Sequence, residues 1–167
     1  MAAHILVAYT TRKGSTVEIA LAIAKELEIA GAAVTVSDMT TVSSLEGYNA
    51  VIIGAPVYIG KVSGDVAVFA RRHRDSLGRV PVAGFVTGIA PVFPKTGDTA
   101  EFIRQLEIAL DPVKPVVITM FAGKLDAARL SLIERGMTSL LQAPTGDFRD
   151  WGAIAAWARD LPGKMGI

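Results

Sequence analysis

The chain contains no cysteine. Disulfides, thiolate metal sites and cysteine nucleophiles are therefore excluded. It has no apolar run approaching the roughly 20 residues that a spanning helix needs. Pro, Gly, Lys or Asp interrupts every candidate, although 51% of the residues are hydrophobic. It has little excess charge: the formal net charge is +1 at pH 7. That is too small to imply nucleic-acid binding from bulk charge. The first apolar segment begins almost at Met1, with no charged leader or cleavage signal before it. No signal peptide and a cytoplasmic location are expected. A length of 167 residues without linker or repeat is expected to form a single domain over 1–167.

Three more absences narrow the nucleotide- and phosphate-binding classes. There is no Gly-Lys-Ser/Thr ending of a Walker loop and no dinucleotide G-x-G-x-x-G. The first strand is followed by Tyr9-Thr10-Thr11, not by the acidic cluster a signalling receiver module would need.

What is present is organised around one stretch. The apolar run Ile5–Ala8 ends in the loop Thr10-Thr11-Arg12-Lys13-Gly14-Ser15-Thr16. Ile19, Ala20, Ile23, Leu27 and Ala30 then recur on one helical face. Ser15 is expected as the N-cap, with Glu18 completing a capping box. The loop thus lies between the end of a strand and the start of a helix, where backbone N–H groups and the helix dipole suit an anion. Gly14 permits close backbone approach. Four hydroxyls and two cations in these seven residues exceed what a cap alone requires. An ordinary, well-capped strand-to-helix turn is the other reading.

Further strands are expected at 33–37, 50–54, 80–87 and 115–121. Helices are expected near 15–30 (ending at Gly31), 64–77 and 98–110. Another is marked by Leu130, Ile133, Met137, Leu140 and Leu141. Ala143–Asp147 reads as a turn. A last helix from Asp150 should bury Trp151, Ile154, Ala155, Ala158 and Leu161 and stop at Pro162-Gly163. His73 falls on an apolar helical face and reads as a packing residue, with Arg71, Arg72 and Arg74 on a solvated face. Alternating strands and helices imply a doubly wound α/β sandwich whose five-stranded parallel sheet has the order 2-1-3-4-5. Ligands bind such sheets at the carboxyl ends of the strands. Loops 10–16, 54–61 and 87–97 should meet there.

These residues resemble the flavodoxin family. Thr11, Gly14 and Thr16 match its phosphate loop, with Lys13 where Ser or Thr is usual. The likeness is closer to the flavodoxin-like, menaquinone-dependent protoporphyrinogen oxidases. It runs through Glu18-Ile19-Ala20, Ile53-Gly54-Ala55 with Gly60, Gly123-Lys124-Leu125 and Asp150-Trp151. The resemblance implies FMN. Residues 11–16, preceded by Thr10, would hold its phosphate. Pro56, Val57, Tyr58, Ile59 and Gly60 would flank the isoalloxazine, with Tyr58 stacking on it. Thr87, Gly88, Ile89 and Phe93 would cover the other edge. No catalytic side chain and no metal ligand are singled out, because the flavin itself supplies the redox chemistry. Two departures separate the chain from the oxidases. Ile59, not Tyr, precedes Gly60, and residues 88–97 carry only Lys95 as a cation instead of a long basic insertion. Flavodoxin carriers, for their part, are strongly acidic. The expected function is electron transfer with redox partner proteins or a quinone. Protoporphyrinogen oxidation is the alternative, and a non-redox phosphate-binding module is the third class.

Overall fold

A computed structural model describes residues 2–126, 131–141 and 145–167. Its core is a parallel sheet of β1 (His4–Tyr9), β2 (Ala33–Asp38), β3 (Ala50–Tyr58), β5 (Val82–Gly88) and β6 (Val117–Ala122). The spatial order is β2-β1-β3-β5-β6, which is the expected five-strand order once β4 (Lys61–Val62) is set apart as a short antiparallel partner of β3. Strands β1 and β3 are apolar on both faces because both faces are covered. Ile5, Val7, Ala50 and Ile52 pack under α1 (Ser15–Ile29) and α6 (Trp151–Met165). Leu6, Ala8, Val51 and Ile53 pack on the other side with α2 (Asp65–Arg72) and α4 (Thr99–Leu110). The remaining elements are α3 (Arg74–Leu77), β7 (Lys124–Leu125), α5 (Leu132–Leu141) and β8 (Gly146–Asp147).

Several local expectations need correction. The expected loop at 55–61 is largely strand, since β3 runs on to Tyr58 and turns back into β4. Pro56 pairs in register with Thr87. It has no N–H to give, and its carbonyl accepts from the Ser63 N–H at 3.1 Å. The turn is made by Ile59 and Gly60, both at positive φ (49° and 74°). Glycine adopts this freely, whereas a β-branched residue does so only under constraint. Gln105 supplies part of that constraint, because its side chain accepts from the Val62 N–H (2.8 Å) and donates to the Gly60 carbonyl (3.3 Å).

The helix expected over 64–77 divides at His73, which is buried and turns its ring Nε2 towards the Val42 carbonyl at 3.3 Å. Pro162 does not end α6, which continues to Met165. A proline in the last turn forfeits one backbone bond, and burial of Leu161 and Met165 holds that turn. Trp151, expected in the core, is 43% exposed. It is the first helical residue, and periodicity specifies a face without saying how far the covering surface extends. Trp157 packs instead against Phe121 and Phe85, with ring centroids 5.5 and 6.2 Å away. Helix α5 also departs from expectation. Ile133 and Leu140 are exposed (69% and 84%), whereas Glu134 and Thr138, one turn apart, line the cleft described below. Leu130 and Ala143-Pro144 lie outside the described residues. Among the described residues no helix is long and apolar enough to cross a membrane.

Candidate functional site

The carboxyl ends of β1, β3, β5 and β6 open into one cleft with two adjoining halves. The polar half lies at the start of α1 and is lined by Thr11, Arg12, Lys13, Ser15 and Thr16. The apolar half is lined by Ile59, Gly60, Ala90, Phe102 and Met120, among others. Val57, Tyr58, Gly88, Ile89, Leu125 and Glu134 line both.

The start of α1 differs from the sequence expectation in a way that bears on binding. Gly14, not Ser15, is the N-cap, and its φ of 87° is open to glycine and costly for other residues. The loop folds so because the Thr11 hydroxyl accepts from the Gly14 N–H at 2.9 Å. Ser15 then becomes the first helical residue. Glu18 does not fold back to complete a capping box; its carboxylate lies 3.2 Å from Arg149. No side chain caps α1. The first-turn N–H groups and the positive end of the dipole therefore face the polar half of the cleft without a competing side-chain acceptor.

The loop hydroxyls divide their tasks. Thr10 is buried, donates to Asp65 at 2.7 Å, and does not line the cleft. Thr16 is fully buried, with its Oγ1 2.9 Å from that of Thr87 at the end of β5. A hydroxyl has one donor and two acceptor sites. If Thr87 donates within the pair, the Thr16 proton remains for an acceptor in the cleft. The backbone beyond Thr87 is held by its neighbour loop, since the Gly123 N–H donates to the Gly88 carbonyl at 2.9 Å. The Phe93 N–H donates to the Ile89 carbonyl at 2.8 Å. Phe93 itself is half-buried and lines neither half. Thus of the residues singled out in sequence, Thr10 and Phe93 stand outside the cleft lining. Gly14 shapes the loop, and the remainder meet in the cleft.

Electrostatically, the polar half holds both signs. Lys13 Nζ lies 3.3 Å from the Glu134 carboxylate. Burial pushes the Glu134 carboxyl up, but hydrogen bonds from Ser131 and the Lys13 ammonium outweigh it and hold the carboxyl below its ordinary value. Ser131 and Glu134 form a reciprocal capping box, with Ser131 N–H to Glu134 Oε1 at 3.3 Å and Glu134 N–H to Ser131 Oγ at 3.2 Å. On the opposite wall the Arg12 guanidinium lies 3.6 Å from the centroid of the Tyr58 ring. Behind the loop, Arg149 is a nearly buried tie. It bonds Asp147 through two nitrogens (2.9 and 2.7 Å), reaches Glu18, and lies over Trp151 at 4.7 Å. These contacts join α1, β8 and α6 beside the cleft.

Sequence reasoning missed Glu134 and Thr138, as well as Lys124, Leu125 and Asp126 after β6. The latter were detectable by the same rule that located the other loops, since they too leave a strand's carboxyl end. The Ser131-x-x-Glu134 spacing is a capping-box signal that the apolar pattern from Leu130 overlooked, and nothing in it says that this helix reaches the cleft.

A family model described as a flavodoxin domain matches residues 6–151. The protoporphyrinogen IX dehydrogenase [quinone] of Escherichia coli is 25% identical over 169 aligned positions, covering 93% of each chain. A flavodoxin from Streptococcus pneumonia TIGR4 superposes with a TM-score of 0.61 at 17% identity, covering 97% of this chain and 99% of that one. A mutant flavodoxin from Fusobacterium nucleatum, bound to flavin mononucleotide, gives a TM-score of 0.54 at 15% identity, with coverage of 98% and 95%.

Proposed function

The chain belongs to the flavodoxin family and by that membership is an FMN-binding redox protein; we propose that it acts in the cytoplasm, as one domain, carrying electrons between redox partner proteins. The observation that carries this reading is the two-part cleft: a hydroxyl-rich half with charges of both signs at an uncapped helix start, adjoining a half lined by Ile59, Ala90, Phe102 and Met120. A phosphorylated flavin has the same two parts. The amides of α1 with Ser15, Thr16, Arg12 and Lys13 would hold the phosphate. Tyr58 and the backbone at 56–60 would pack on one side of the ring, and 87–89 on the other. When bound, the flavin supplies the electron transfer. The chain's own residues bind it, orient it and exclude water from its apolar half. The Gln105 clamp on Gly60 fixes the turn that walls the ring site.

A second reading is protoporphyrinogen oxidation with electrons passed to a quinone. It is supported by the 25% identity to the Escherichia coli dehydrogenase over 93% of the chain. Against it, a porphyrinogen with carboxylate side chains needs cations at the cleft mouth, and the 88–97 loop carries only Lys95. Two measurements on FMN-loaded protein separate the readings. A carrier resolves two separate one-electron potentials in a stepwise reductive titration and shows no turnover of protoporphyrinogen with a menaquinone analogue. Sustained turnover, with reduction in a single two-electron stage, would reverse the order. Protein that takes up no FMN would sink both.

A further inference from the structure

The Arg149 side chain is only 5% exposed, although it lies outside the cleft lining. Most of its guanidinium is spent on Asp147, to which Nε and Nη2 donate at 2.9 and 2.7 Å. Asp147 also accepts from the Arg149 backbone N–H at 3.1 Å, and the Trp151 ring lies 4.7 Å from the guanidinium. These contacts fix the plane of the fork. The remaining nitrogen, Nη1, is buried and makes no hydrogen bond among the described residues. It stands 3.2 Å from the Glu18 carboxylate of α1, an ion pair.

Glu18 belongs to the first turn of α1. A carboxylate there is drawn to the positive end of the helix dipole. The Ser15-x-x-Glu18 spacing would also let it fold back on the N–H groups of that turn. Its side chain is 53% exposed and lines a small recess. The other residues of that recess, Lys13, Ser15, Lys124 and Asp126, also line the polar half of the cleft. The chain thus carries its own anion beside the residues proposed to hold a phosphate, and Arg149 is what that anion is paired with.

We infer that Arg149 is a positioning residue for the phosphate site: it holds the Glu18 carboxylate aside and neutralises it, so that the start of α1 takes its anion from a ligand. The inference rests on the reading that residues 11–16 take the FMN phosphate. Asp147 orients the arginine, and Glu18 is the group that the arginine restrains. Relieved of Arg149, the Glu18 carboxylate competes with the phosphate for the same helix start and repels it.

The test is a set of titrations of the full-length, flavin-stripped protein with FMN and with riboflavin, read by quenching of flavin fluorescence. Arg149→Met should weaken FMN about tenfold at low ionic strength, the effect of one uncompensated carboxylate near a dianion. Riboflavin, which has no phosphate, should change less than about twofold. Adding Glu18→Gln to Arg149→Met should bring FMN affinity back to within about twofold of wild type. Asp147→Asn in the same background should restore much less, because that carboxylate lies outside the recess. An arginine that only braced the fold would weaken both flavins together and would not be rescued by a change at position 18. Should Arg149→Met fail to fold, Arg149→Lys carries the same comparison. Its single ammonium cannot serve Asp147 and Glu18 at once, so FMN weakens by a smaller factor that Glu18→Gln again restores. Loss of both flavins in parallel, no rescue by Glu18→Gln, or equal rescue by Asp147→Asn would overturn the inference. Failure of the underlying assignment looks different: wild-type protein would then bind FMN and riboflavin equally.

Discussion

Thr16 at the start of α1 and Thr87 at the end of β5 share a buried hydrogen bond, with their hydroxyl oxygens 2.9 Å apart. It links the start of α1 to the strand that begins the opposite wall. Both walls of the cleft are therefore fixed to one another through a pair of side chains 71 positions apart in sequence.

That pair gives the first prediction. Thr16→Val and Thr87→Val each leave one buried hydroxyl without its partner and should each cost about 1–3 kcal/mol of stability in urea unfolding. The double valine variant should cost less than the sum, because it leaves no orphan. FMN affinity should fall about tenfold in Thr16→Val and less in Thr87→Val, since only Thr16 belongs to the loop proposed to hold the phosphate. Equal losses in the two variants would place the donor elsewhere.

Lys13 faces Glu134 at 3.3 Å. Lys13→Glu would set two carboxylates together beside the site proposed for a phosphate. FMN should bind about tenfold or more weakly at low ionic strength. The gap from wild type should narrow as salt is raised, because salt screens partly exposed charge. A defect of constant size from low to high salt would show that Lys13 acts through loop shape rather than charge.

The Asp147 carboxyl is held at about 2 by its hydrogen bonds to Arg149, against which burial acts only in part. Its folded value lies below its unfolded value of 3.8, so the folded state prefers the ionised form. This contribution to stability is complete above pH 3.8 and drains away as pH falls towards 2. NMR titration of the Asp147 carboxyl should show its value raised towards normal in Arg149→Met, short of it by what the backbone N–H of residue 149 and Lys124 still supply. No change in that variant would mean that Arg149 does not hold the carboxyl.

His73 titrates in the opposite region with the same direction. Burial pushes its ring below the ordinary value of 6.5, helped by Arg72 and opposed by its bond to the Val42 carbonyl. Other groups around it are the Phe69 ring, 4.7 Å away, and the neighbouring Arg74. The fold therefore favours neutral His73. Its contribution is full above pH 6.5 and is lost as the pH drops below that value. His73→Gln, which cannot gain a proton, should flatten the fall in unfolding free energy between about pH 7 and 5. A slope identical to wild type would assign that region to another group.

The sequence by itself determined the sheet, its order and which three chain segments meet at its carboxyl edge. The reason is local. Strands covered on both faces must be apolar throughout, and Ile5–Ala8 and Ala50–Ile53 are. Helices that cover them must repeat an apolar face every three to four residues, and Ile19, Ile23 and Leu27 do. Strand-to-helix alternation then allows few topologies. Only the tertiary structure decided what depends on distant partners. Thr10 turned to Asp65 and Thr16 to Thr87, contacts across 55 and 71 positions. Arg12 came to lie on Tyr58. Helix α5 turned Glu134 inwards and Leu140 outwards, against its own amphipathic pattern. Periodicity tells which side of an element is apolar, but the surface that element meets is supplied by other parts of the chain. A hydroxyl or a charge has no periodicity to read. Its partner is set by which loops the closed sheet brings within about 3 Å.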